Sequence, residues 1–230
     1  MLAIDKDGRV AVVTLRRAAV SDAHPRSVRE ALHDAVADLV ADDEVSVILL
    51  TGSEEGFTEG LDVSMLGAAP LAEHTEVQRN PAHAIRAAHK PVIAAITGAA
   101  IGGGFEIVLA CDVVVASTNA RFADTHAKVG VDPHPAFTRR LAQLIGFHRA
   151  HELALTGAFL EAEQAYEWNL VGRLTAPEAL AATALSIARD MAALPLDTLV
   201  RRKALLRQHF DETQPAQVAI VATNRPAALS

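Results

Sequence analysis

The segment PVIAAITGAAIGGGFEIVLAC, residues 91–111, constrains this chain more than any other. PVIAAI is apolar at every position, so as a strand it has two faces to bury rather than one. The glycines Gly102, Gly103 and Gly104 interrupt it, and the apolar run FEIVLAC then has the length and character of a buried helix. A strand covered on both faces, a tight turn and a helix form the building unit of a layered α/β fold.

The flanking sequence extends that pattern. Residues 2–4 and 9–15 are β-rich and enclose Asp7-Gly8, a strong hairpin signal. Residues 27–41 repeat apolar side chains at helical spacing, and VSVILL (45–50) is a second apolar strand closed by Thr51-Gly52. Residues 52–61 read as a loop and 74–89 as a polar helix. DVVVAS (112–117) and RFAD (121–124) read as strands. From Pro135 onward the pattern is read as helical throughout, over 135–145, 147–156, 161–168, 177–193 and 197–210. Asn169 ends one of these helices, in keeping with its tolerance of the left-handed conformation.

Composition excludes several classes of function. Half of the 230 residues are hydrophobic and 21% are charged, a balance that supports a packed core and argues against disorder. The net charge is −7 and no long basic run occurs, so nucleic acid and anionic membranes are not expected partners. No charge-free stretch of about 20 apolar residues is present, and the N-terminus lacks the pattern of a secretory signal. The expected location is cytoplasmic. Cys111 is the one cysteine, which excludes a disulfide framework within the chain. Its apolar surroundings favour a small buried side chain over a nucleophile.

The glycine turn also carries chemistry. Glycines let a ligand approach the backbone closely, and the helix start after them presents unpaired N–H groups with a positive dipole end. That arrangement suits an anion, and an oxyanion in particular. The dinucleotide fingerprint fails because Ile107 stands where its third glycine belongs, and no Gly-Lys-Ser/Thr completes a P-loop. Glu106 lies in the first helical turn among apolar neighbours. Helix stability alone accounts for a carboxylate there, but a semi-buried one is also a candidate acid/base.

Four segments in order resemble the enoyl-CoA hydratase/isomerase (crotonase) family. They are GFTEGLDVSM (56–65), KPVIAAITGAAIGGGFEIVLACDVVVAS (90–117), ARFADTHAKVGVDP (120–133) and LTGAFLEAEQAYEWNLV (155–171). The resemblance implies an α/β fold, a crotonase-like spiral of β-β-α units in residues 1–172. A C-terminal helical region, residues 173–230, follows and is shortened relative to the family. It further implies an acyl-CoA thioester as substrate and a homotrimer or dimer of trimers. No metal or other cofactor is implied, coenzyme A entering as part of the substrate. Two backbone amides, those of Leu61 and Gly103, would form the oxyanion hole. Gly102, Asp62, Asp132, His134 and Phe137 would border the substrate.

The family's hydratases hold one water between two glutamates. The first of these matches Glu106, whereas the second position is occupied by His126. Histidine also serves as an acid or base near neutral pH, so both residues are assigned as catalytic. Asp124 lies two residues before His126 and on a strand would share its face. The implied activity is enoyl-CoA hydration. The alternatives are another reaction of the family (isomerisation, decarboxylation or thioester hydrolysis) or an acyl-CoA-binding protein with little catalysis. His148 and His151 share a helix face but have no evident further metal ligands. Arg201, Arg202, Lys203 and Arg207 read either as a solvated face or as contacts to CoA phosphates.

Overall fold

The computed structural model describes residues 2–16, 25–53, 56, 57, 80–130 and 132–212. The expected hairpin is present as β1 (Leu2–Asp7) and β2 (Val10–Leu15), antiparallel with Asp7 opposite Val10. Helix α1 (Pro25–Ala41) buries Leu32, Val36 and Leu39, one stripe at helical spacing. It leads to β3 (Val47–Gly52), which runs parallel to β2. Helix α2 (Pro81–Ala87) precedes β4 (Val92–Ile96), and every β4 residue is buried.

Two β-β-α units follow. The first comprises β4, β5 (Ala99–Ile101) and α3 (Gly103–Ala110). The second comprises β6 (Val113–Ser117), β7 (Arg121–Ala123), a 3₁₀ turn (His126–Val129) and α4 (Pro135–Ile145). Corresponding strands pair in parallel, β4 with β6 and β5 with β7. Each unit therefore adds one strand to a main sheet and one to a smaller sheet, which is the repeat expected of a crotonase-like spiral.

The helical reading after Pro135 requires correction. Helices α5 (Phe147–Thr156), α6 (Ala162–Glu167), α7 (Leu180–Ala192) and α8 (Leu196–Glu212) are present. Two three-residue strands stand among them, β8 (Phe159–Glu161) and β9 (Arg173–Thr175). β8 pairs antiparallel with β7, and β9 extends the main sheet beside β6. Three residues hold too little alternation to be read as a strand, and only their neighbours define these two. β5 was hidden for the same reason inside the glycine turn. Asn169 does adopt the left-handed conformation, with φ 64°.

The main sheet has the order β1-β2-β3-β4-β6-β9. Side chains alternate across it. Ala11, Val13, Ile48, Leu50, Ala94 and Ile96 join the larger core with residues of α1, α2 and α3. Val10, Val47, Leu49, Ile93, Ala95 and Val115 join a second core with Leu180, Ala184 and Ala188 of α7. Helix α7 is thus the cover that lets the strands be apolar on both faces. Among the described residues no single helix is long and apolar enough to cross a membrane.

Candidate active site

The site is built around the start of α3. Gly102 turns the chain with φ 51° and ψ −115°, a conformation that favours glycine. Its amide is engaged by the Ala123 carbonyl at 2.9 Å, which ties the turn to the end of β7. The next amide, that of Gly103, stands in the first turn of α3, where the helix offers no carbonyl partner. It is the amide that the sequence reading assigned to an oxyanion hole. Leu61 and Asp62, assigned as the second donor and a substrate contact, lie outside the described residues.

Glu106 is 6% exposed, and its backbone amide closes the turn by donating to the Gly102 carbonyl at 3.0 Å. Its two carboxylate oxygens are held separately. Oε1 accepts from the His134 backbone N–H at 2.9 Å, and Oε2 accepts from Asn80 Nδ2 at 3.5 Å. Asn80 also caps α2, its Oδ1 accepting from the Ala82 amide at 3.0 Å. That bond orients the side chain, leaving its NH₂ for the carboxylate. The sequence Asn80-Pro81 announces a helix start and gives no sign of the second contact.

His126 reaches the site from a different element than expected. β7 ends at Ala123, and His126 opens the 3₁₀ turn, so strand alternation does not align it with Asp124. A tight turn does so instead. Asp124 Oδ1 accepts from the His126 backbone amide at 3.2 Å and pairs with ring Nδ1 at 2.7 Å. The other ring nitrogen, Nε2, stands 3.8 Å from Glu106 Oε1. The side chains of Asp124, Glu106 and His126 are only 3%, 6% and 12% exposed, which makes this a dry cluster of acid/base groups.

Phe137 is buried, with its ring edge-on to His126 at 5.7 Å and to Phe105 at 5.4 Å between centroids. His134 caps α4 by accepting from the Ala136 amide at 3.1 Å. A cavity of about 260 Å³ opens beside Glu106 along α3. Asn80, Leu109, Ala110, His134, Phe137 and the arginines Arg86 and Arg139 are among its walls, while His126 and Gly103 are not. Asp132 is exposed and is not among the residues that line this cavity. Arg29, which the sequence did not single out, places a guanidinium nitrogen 3.6 Å from where a Cβ on Gly103 would stand.

The basic patch on α8 proves to be structural in part. Lys203 pairs with Asp112 at 2.6 Å and donates to the Lys90 carbonyl, also at 2.6 Å. Arg207 meets the other Asp112 oxygen at 2.9 Å. His151 stacks on Phe147 at 3.9 Å, and no group of metal-holding side chains occurs among the described residues. Cys111 is buried and donates to the Ile107 carbonyl at 3.2 Å, and burial pushes its thiol pKa up.

A β-β-α spiral, a glycine-lined helix start and a buried carboxylate beside it define an acyl-thioester enzyme of the crotonase type. Known proteins agree. The family model described as enoyl-CoA hydratase/isomerase matches residues 5–228. The short-chain-enoyl-CoA hydratase of Clostridium acetobutylicum is 31% identical over 209 residues, 89% of this chain and 80% of that protein. A probable peroxisomal enoyl-CoA hydratase of Arabidopsis thaliana is 33% identical over 169 residues. That match takes in 74% of this chain but spans only 64% of the plant protein. The crystal structure of an enoyl-CoA hydratase from Mycobacterium tuberculosis superposes with a TM-score of 0.75 at 35% identity, covering 93% of this chain and 91% of that one. The chain belongs to the enoyl-CoA hydratase/isomerase family, as an acyl-CoA-processing enzyme of that type.

Proposed function

We propose that this protein adds water reversibly to a 2-enoyl-CoA thioester, with Glu106 and His126 as the catalytic pair. The observation that carries the reading is the 3.8 Å separation between His126 Nε2 and Glu106 Oε1. Two groups at that distance can both reach one water oxygen within the usual hydrogen-bond range of about 2.6–3.2 Å.

The thioester oxygen would rest on the Gly103 amide and, by family resemblance, on that of Leu61. Donors already oriented in a dry site favour the enolate over the ground-state carbonyl. Glu106 takes a proton from the water as its oxygen bonds to Cβ, and His126, entering the step as the imidazolium, delivers its Nε2 proton to Cα and becomes the neutral ring. One C–O and one C–H bond form while the π bond is lost. The proton left on Glu106 passes to Nε2 and resets the pair, so no proton is gained or lost overall. The acyl tail would follow the cavity from Glu106 toward Leu109 and Ala110, and Phe137 would limit its width. In this reading CoA enters only as part of the substrate, and the assembly is a homotrimer or dimer of trimers.

The test is loss of the conjugated-thioester absorbance of crotonyl-CoA with the parent and with Glu106→Gln. The parent should turn over, and the variant should lose roughly 10³-fold in kcat. A parent that leaves 2-enoyl-CoAs untouched but converts 3-enoyl-CoAs would move the assignment to double-bond isomerisation. Equal activity in both proteins would remove Glu106 from the mechanism.

A further inference from the structure

We propose that Asp124 is a positioning residue that holds His126 with its proton on Nδ1 and turns Nε2 toward Glu106. This inference rests on the reading of His126 as a proton carrier. An imidazole can work at Glu106 only through the nitrogen that faces it, and the two ring nitrogens are interchangeable unless one is fixed by a partner. Here Asp124 Oδ1 takes Nδ1 at 2.7 Å, while Nε2 faces Glu106 Oε1 at 3.8 Å. A carboxylate oxygen is an acceptor, so Nδ1 carries the hydrogen in both the neutral ring and the imidazolium.

The remaining surroundings of the ring reinforce this orientation. The Phe137 ring stands edge-on to the imidazole at 5.7 Å and restricts its rotation. Asp124 itself is 2% exposed, so water competes poorly for its oxygen. The acid is anchored from its own chain as well, because the same Oδ1 accepts from the His126 amide at 3.2 Å. Backbone and ring of one residue are thus fixed by a single oxygen. The turn removes the freedom that a side chain without this tether would have.

That convergence separates positioning from mere turn formation. In Asp124→Asn the amide oxygen can keep both bonds. In Asp124→Ser a hydroxyl can still serve the turn by accepting from the amide two residues on, but it is too short to hold the ring. Nitrogen-15 chemical shifts of the His126 ring report where its proton sits, and they need no substrate. The expected result is a protonated Nδ1 in the parent and in Asp124→Asn, and a mixture of tautomers in Asp124→Ser. The Ser variant should also lose roughly 10²-fold in kcat with KM changed less than about threefold, and Asn should recover most of the loss.

A parent ring protonated on Nε2 alone when neutral would overturn the proposal. A folded Ser variant with parental kcat would do the same. An inactive parent whose Nδ1 is protonated would instead sink the hydration reading while upholding the Asp124–His126 arrangement.

Discussion

The two ends of α3 hold an acid each, Glu106 buried and Asp112 half-buried, and they treat it in opposite ways. Asp112, just past the C-terminal end, is held by two cations, Lys203 and Arg207, and by the Val92 amide at 2.8 Å. Arg207 also donates to the Ala110 carbonyl at 3.4 Å, so positive charge meets the negative end of the helix dipole. Glu106, in the first turn, has neutral hydrogen-bond donors, an amide of the backbone and one of Asn80. The positive end of the dipole favours its charge, yet its oxygens face His126 and a cavity. One acid is neutralised by ion pairs and serves the fold. The other has neutral hydrogen-bond donors and is the acid that the proposed hydration uses.

Substitution should separate the two. The largest effect expected is the roughly 10³-fold loss of kcat in Glu106→Gln, with the melting temperature nearly unchanged because Gln still accepts from the His134 amide. Asp112→Ala should do the reverse. Leaving Lys203 and Arg207 without their acid is expected to cost about 3–5 kcal/mol. For a chain of this length that lowers the melting temperature by roughly 10 °C. Turnover of the folded protein should stay within about threefold, since the substitution lies past the far end of α3, roughly 9 Å along the chain direction from Glu106. A large kinetic defect in Asp112→Ala would break the comparison.

A smaller effect is expected from pH. Burial lowers the pKa of Lys203, with Asp112 opposing the shift. Between that lowered value and the ordinary lysine value of about 10.4, the unfolded chain binds more protons than the folded one. The contribution of Lys203 therefore raises stability as pH rises through this window. Denaturant titrations of the parent and Lys203→Met at several alkaline pH values should show the parent gaining on the variant. A variant with the parent's slope would mean that Lys203 keeps its proton as firmly as a solvated lysine.

The smallest effect is at Cys111, beside Asp112. Burial raises its thiol pKa and hides it, so an alkylating reagent at mild pH should label the unfolded chain and spare the native one. Rapid native labelling would mean that this end of α3 opens.

Much of this arrangement was legible without coordinates. The hairpin around Asp7-Gly8, the stripe on α1 and the strand–glycine–helix unit all follow from local patterns. Glu106 was singled out because a carboxylate in an apolar helix is conspicuous. The pairing of Asp124 with His126 was glimpsed for the wrong reason, since a turn aligns them where a strand was expected. Asn80 and Arg29 were not singled out, because contacts to residues 26 and 74 positions away leave no local trace.

The charges on α8 divide the two sources of information most clearly. Sequence determined that α8 is a helix bearing four basic residues, because period and charge are properties of neighbours along the chain. It also determined the family, through motifs that keep their order and spacing. Only the tertiary structure decided that Lys203 and Arg207 turn inward to Asp112, that α7 covers the second face of the sheet, and that His126 presents Nε2 to Glu106. Each depends on which surfaces meet when the chain closes on itself. Burial then decides whether a charge found there is neutralised or left available for a reaction.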